Sequence, residues 1–250
     1  MDQWTAILLP FVLLMSRVAA FIVVVPIFGM TTVPAVARIG LVLLLSVFFA
    51  AIMPPGVSGV GVHWLHAVVL ILQEAIIGLA LGLAARLVFL AVEQGGLIAA
   101  QQMGFADVEA IDPLSEAQDS PVAALFEMTF ALLFLTAGGH QLLLRMLAQS
   151  FRSFPLAGNV NVAVLTDGLV EAGSAMLLLA LKLAAPLLGG FLILAVLLCI
   201  LARVLPEMNI LLESFPLRVG MGLFMAAAIM PSLETLTNEL ARWMSRLLTA

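Results

Sequence analysis

The sequence predicts an all-α, polytopic integral membrane protein with about six long apolar helical segments, some kinked or forming hairpins. Three observations carry this reading. Of the 250 residues, 64% are hydrophobic and only 10% are charged, whereas soluble domains run near half apolar and a quarter charged. Mean hydropathy is +1.22. The apolar residues gather in stretches approaching the ~20 residues that a bilayer span needs, and proline and glycine clusters separate them. A soluble fold of this length would need far more charge to coat its surface.

The stretches run 5–28, 36–53, 65–100, 122–148, 174–201 and 208–231. The first follows Met1-Asp2-Gln3-Trp4 and has neither a basic n-region nor a small-residue cleavage site, so it is expected to be retained. Turn chemistry separates the stretches: Pro26 to Pro34 with Gly29, then the run MPPGVSGVG from Met53, FPLAGNVN from Phe154, and Pro206 after Arg203. The third stretch is helical in pattern from Leu65 to Ala100. Its ~54 Å exceeds a ~30 Å hydrocarbon core, so it either leaves the membrane or bends near Gly95-Gly96. The fifth carries Pro186 and Gly189-Gly190, which predicts a kink or a hairpin. Trp4, Trp64 and Trp243 sit at segment ends, as interfacial belt residues do. The tail, 232–250, repeats Leu233, Leu236, Leu240, Trp243 and Leu247 at helical spacing and is read as an amphipathic helix on a membrane or a partner. The distribution of basic residues is too even to fix the orientation of the chain.

Net charge is −5, with one lysine, Lys182, and nine arginines. That argues against a nucleic-acid footprint, which needs a basic stripe. Arg17, Glu74, Arg86, Glu93, Glu127, Lys182, Glu213 and Arg218 nevertheless lie inside apolar stretches. At a bilayer centre each would cost at least ~2.5 kcal/mol. They are read first as charges that pair between helices and fix assembly, and second as an ion or proton pathway. Arg86 and Glu93 are seven apart and share one helix face. Gly78 and Gly82, with Ala85 behind them, form a small-residue stripe suited to close helix packing.

Residues 101–121 form an acidic connection holding Asp107, Glu109, Asp112, Glu116 and Asp119 and no base. Phe105, Val108, Ile111 and Leu114 recur at every third position within it. One apolar edge packed against a surface, with the acids facing water, accounts for that pattern. Such an edge suits either a plug that closes a pore by excluding water or a short helix capping the bundle.

Enzymatic signatures are missing. The sequence holds no His-Glu-x-x-His, no Gly-x-Ser-x-Gly and no phosphate-binding glycine loop. The single cysteine, Cys199, can form neither an internal disulfide nor a multi-cysteine metal site. His63 and His66 lack a nearby acid or cysteine to complete a site, and His140 after Gly138-Gly139 is read as structural. No cofactor or metal is expected. A self-contained secondary transporter, using the interrupted fifth segment as a midplane site, is the alternative of a different class.

Taken in order, the motifs resemble the FliR/SctT family of type III export apparatus membrane proteins, flagellar and injectisome. Arg17, Pro26-Ile-Phe-Gly29, Pro34 and Arg38 come first, then Gln73-Glu74 with Gly78 and Gly82. Glu93-x-x-Gly96, Gln101-x-x-Gly104 and Asp112-Pro113 follow, then Gly139-His140 and Ser150-Phe151-x-x-x-Pro155. The end, Arg203-x-x-Pro206-x-Met208-Asn209 with Pro216-Leu-Arg218 and Gly220, is the most specific piece. Glu207 stands where the family often has glutamine, and Arg218 where it often has lysine.

The resemblance implies a pore-forming subunit of a protein export gate in the bacterial inner membrane, at the flagellar basal body. It implies FliP, FliQ and FlhB-like subunits as partners, unfolded exported proteins as substrates, and membrane lipid as surroundings. It further implies that the loop 104–119 closes the pore. Gly104, Phe105, Asp107, Val108, Glu109, Ile111, Asp112 and Pro113 are the expected gating residues. Arg17, Glu74, Gly78, Gly82, Arg86, Glu93, Arg203, Pro206 and Asn209 are the expected assembly residues.

Overall fold

The computed structural model describes residues 2–29, 34–52, 64–105, 121–158, 162–204, 214–229 and 231. The helices are α1 (Asp2–Val24), α2 (Pro26–Gly29), α3 (Ala35–Ile52), α4 (Trp64–Met103), α5 (Pro121–Thr136), α6 (Gly139–Ser153) and α7 (Val162–Val204), followed by α8 (Ser214–Ile229). Among the described residues there is no strand. The amphipathic tail and most of the acidic connection lie outside the described residues.

One of the sequence expectations changes and another narrows. Of the kink or hairpin expected around Pro186, the hairpin does not form: α7 is continuous for 43 residues with Pro186 inside it. A proline removes one hydrogen bond from a helix, and membrane helices absorb that loss through neighbouring groups. The stretch 122–148, by contrast, is not one helix. Gly138 takes a left-handed φ of 79° and ends the run, and its carbonyl accepts from the Gln141 and Leu142 amides to start α6. α4 meanwhile continues through Gly95-Gly96 as a single helix of 40 residues.

The chain divides into two compact units. The first comprises residues 1–87, 138–173 and 240–250. Here α1 buries Leu13, Leu14, Arg17, Val18, Phe21 and Ile22, the spacing of one helix face. It packs on α2 and α3, and on α4 at the glycine stripe. A Cβ at Gly78 would overlap the Arg17 carbonyl oxygen, and one at Gly82 would stand 2.9 Å from the Val24 Cβ. Only glycine lets the two backbones come this close. From α6, Leu143, Met146, Leu147 and Ser150 are buried, while Gln141, Arg145 and Arg152 are exposed.

The second unit comprises residues 88–137 and 174–239. Its core is aromatic. Phe89 of α4 meets Phe130 and Phe134 of α5 edge-on, at 5.0 and 5.3 Å between ring centroids. The adjacent glycines of α4 serve two neighbours. Gly95 lies under Leu183 of α7, and a Cβ at Gly96 would stand 2.9 Å from the Ala123 Cα of α5. The Gly95-Gly96 pair thus makes room for helix crossings. Gly190 of α7 receives the side chains of Met221 and Met225 from α8.

α3, α4 and α7 are each long and apolar enough to cross a membrane, α5 with α6 offers a broken fourth span, and α1 and α8 are shorter apolar helices. α3 leaves Val36, Ile39, Leu44, Val47, Phe48 and Ile52 exposed. Trp64 opens α4 at an exposed position, consistent with an interfacial belt.

The glycines make different predictions. Gly78→Ala places a methyl group against backbone that has no rotamer to yield, and is expected to lower stability by ~1–3 kcal/mol. Gly189, with open space around its missing Cβ, should tolerate alanine or gain up to ~1 kcal/mol. Thermal unfolding of the two variants in detergent tests the contrast.

Candidate functional site

Arg17 and Glu74 are fully buried, at 0% and 1% exposure. Arg17 stands on the buried face of α1, and Glu74 stands one turn before Gly78 on α4, so the glycine contact that joins the helices also brings the two charges together. The Arg17 Nε donates to Glu74 Oε2 at 2.7 Å. Nη2 lies against the same oxygen but is not directed for a hydrogen bond. Nη1 donates to the Ser150 carbonyl of α6 at 3.1 Å, and the guanidinium lies 4.6 Å from the centroid of the Phe151 ring.

The other carboxylate oxygen faces the turn after α6. The Ala157 amide donates to Glu74 Oε1 at 3.1 Å. Ala157 holds a positive φ of 57°, an uncommon conformation for alanine, and the turn closes with Gly158 N–H donating to the Pro155 carbonyl. Gln73, beside Glu74, donates through Nε2 to the Gly158 carbonyl at 2.6 Å. One ion pair thus ties α1, α4, α6 and the turn 155–158. Phe151 passes the connection to α3, its ring centroid 5.6 Å from that of Phe49.

The remaining expected residues separate into groups. Gly78 and Gly82 belong to the same α1–α4 contact. Arg86 is exposed, and Glu93 half-buried, two turns further along α4. Arg203 is exposed at the end of α7. Pro206 and Asn209 lie outside the described residues, as do Asp107, Val108, Glu109, Ile111, Asp112 and Pro113. Gly104 and Phe105 mark where the acidic connection leaves α4. Gly104 has a φ of +93°, and its amide donates to the Gln101 carbonyl at 3.1 Å. This left-handed residue ends the helix, as glycine commonly does. Among the described residues no three histidine, cysteine, aspartate or glutamate side chains gather to hold a metal.

Sequence reasoning placed Arg17 and Glu74 among the interhelical charges. It missed the two backbone partners, the Ser150 carbonyl and the Ala157 amide, because backbone groups carry no sequence signal. Breaking a buried pair on one side strands the other charge and typically costs ~3–5 kcal/mol. Arg17→Met is therefore expected to destabilise the protein strongly, and Arg17→Met with Glu74→Leu to recover most of the loss. A double-mutant cycle on unfolding in detergent reads this out.

The chain matches the family described as bacterial export proteins, family 1, over residues 8–243. It is 32% identical to the flagellar biosynthetic protein FliR of Escherichia coli K12, over 96% of this chain and 91% of the relative. It is 33% identical to the FliR of Bacillus subtilis 168, over 92% and 94%. The Yop proteins translocation protein T of Yersinia pestis is 30% identical over 84% and 82%. With these likenesses running through both units, this helical membrane protein belongs to the FliR family of bacterial export proteins, the membrane components of the flagellar type III export apparatus.

Proposed function

We propose that this chain is the pore-forming subunit of the flagellar protein export gate in the bacterial inner membrane, at the basal body. It assembles with FliP and FliQ, with an FlhB-like subunit associated, so that unfolded flagellar subunits cross the membrane.

The observation that carries the reading is the outer surface of α7. Within the second unit, exposed large apolar side chains recur along α7 from Leu177 through Leu181, Leu192 and Val196 to Val204. At 1.5 Å per residue that stretch is ~40 Å long, against a hydrocarbon core of ~30 Å. An average tilt of ~20° shortens it little. Lipid tails can cover only part of it, and the rest calls for apolar protein. Arg86 and Arg203, exposed on α4 and α7, need water or acidic partner groups. With Glu93, Pro206 and Asn209 they serve assembly in this reading. A transporter with its site at an interrupted midplane helix loses its main support, since α7 is unbroken.

The loop 104–119 closes the path. Phe105, Val108 and Ile111 form its apolar edge, Asp107, Glu109 and Asp112 its hydrated side, and Gly104 and Pro113 shape its backbone. The turn at Gly104, where the chain departs from α4, supports a loop that begins here.

Expression of the tagged chain with and without FliP and FliQ, followed by native mass spectrometry in detergent, tests the assembly. A large defined hetero-complex containing this subunit is expected, and a well-behaved species of this chain alone, indifferent to the partners, overturns the reading. For the loop, deletion of residues 105–114 is expected to make membranes carrying the assembled complex leak ions without preventing assembly. Unchanged conductance in a properly assembled complex overturns the closure.

A further inference from the structure

The end of α4 is gripped at three consecutive residues by one helix, α8. Met103 is fully buried, and its side chain fills the space that a Cβ would take at Gly222. Over Gly104 stands the ring of Phe215, so close that a Cβ there would meet its edge at 3.7 Å. Phe105 sets its ring edge-on to the same Phe215, with 6.0 Å between centroids and 70° between planes. Phe215 and Gly222 are seven residues apart, two turns of helix, and so present themselves on one face. The same helix is seated on α7 by Met221 and Met225 over Gly190.

Each contact restricts a different freedom. Met103 in its glycine notch fixes how far α4 can slide against α8. The ring over Gly104 covers the one left-handed residue, whose φ sets the direction in which the chain departs. The aromatic pair then holds the next side chain, Phe105, at an edge-to-face geometry that such rings prefer. Without these contacts the last turn of α4, closed by the hydrogen bond from Gly104 N–H to the Gln101 carbonyl, would fray more readily.

We propose that α8 is the seat of the end of α4, residues 103–105, and that Phe215 is its positioning residue, setting the direction in which the chain leaves Gly104. The functional side of this proposal rests on the reading above that the loop closes the export path. Phe215 acts through Phe105 and Gly104 and has no part in the closing edge itself.

The test uses the full chain, assembled with its partners, as Phe215→Ala and Phe215→Tyr beside the 105–114 deletion. Hydrogen exchange at residues 101–105 reads the seat, and ion leak across the membrane reads the closure. In Phe215→Ala, exchange is expected to rise about three- to tenfold and the membrane to leak. In Phe215→Tyr, which keeps the ring, both should match the parent protein. Unchanged exchange in Phe215→Ala overturns the seat. Faster exchange without leak, where the deletion does leak, overturns the link from seat to closure. If the deletion itself does not leak, the closure reading falls, and the exchange result still decides whether α8 holds the end of α4.

Discussion

Close approach of helices at glycine is the constraint on which this structure depends. Membrane helices gain little by hiding apolar surface from lipid, so they associate through van der Waals contact and the polar groups that contact can shelter. In the first unit, Gly78 and Gly82 admit the backbone of α1. The Arg17–Glu74 pair depends on that approach, since its 2.7 Å hydrogen bond would not survive a side chain wedged one turn away. In the second unit, Gly95 and Gly96 admit α7 and α5, and Gly190 and Gly222 admit methionines. Methionine suits such notches because its unbranched, polarisable chain fills irregular gaps.

Much of the fold was legible because apolar run length reports membrane helices directly. The stripe at Gly78 and Gly82 was read as a packing surface, and it packs. Where the sequence left alternatives, the ambiguity has a common origin. Glycine and proline signal both chain breaks and helix contacts, and the sequence does not say which. Gly138-Gly139 breaks the chain, whereas Gly95-Gly96 and Gly189-Gly190 lie within continuous helices. Gly95, Gly96 and Gly190 have another helix over the missing Cβ, Gly189 has open space within a continuous helix, and what separates Gly138 from all of them is its left-handed φ. Gly138 has nothing near its missing Cβ and a positive φ, while Gly95 and Gly96 are covered.

The candidate site was legible by chemistry but not by geometry. A charge in an apolar stretch demands a partner, which singled out Arg17 and Glu74 without pairing them. Arg86 and Glu93, matched on sequence spacing, are exposed and half-buried respectively. Phe215 gave no signal at all, since one more phenylalanine in an apolar chain is unremarked until its ring is found over Gly104. The motif around Pro216 and Arg218, quoted for the resemblance, now has a physical setting at the first turns of α8.

The ion pair also imposes an order on synthesis. Glu74 is translated 57 residues after Arg17, and Ser150 133 residues after it. At ~5–20 residues per second, α1 waits ~3–11 s for its carboxylate and longer for the carbonyl of α6. An arginine alone in the hydrocarbon costs at least ~2.5 kcal/mol during that wait. The nascent first helix therefore has reason to linger at the insertion machinery or the lipid headgroups, and to enter the bilayer interior together with α4. A single side chain, committed early and satisfied late, gives the first helix a reason to wait for α4.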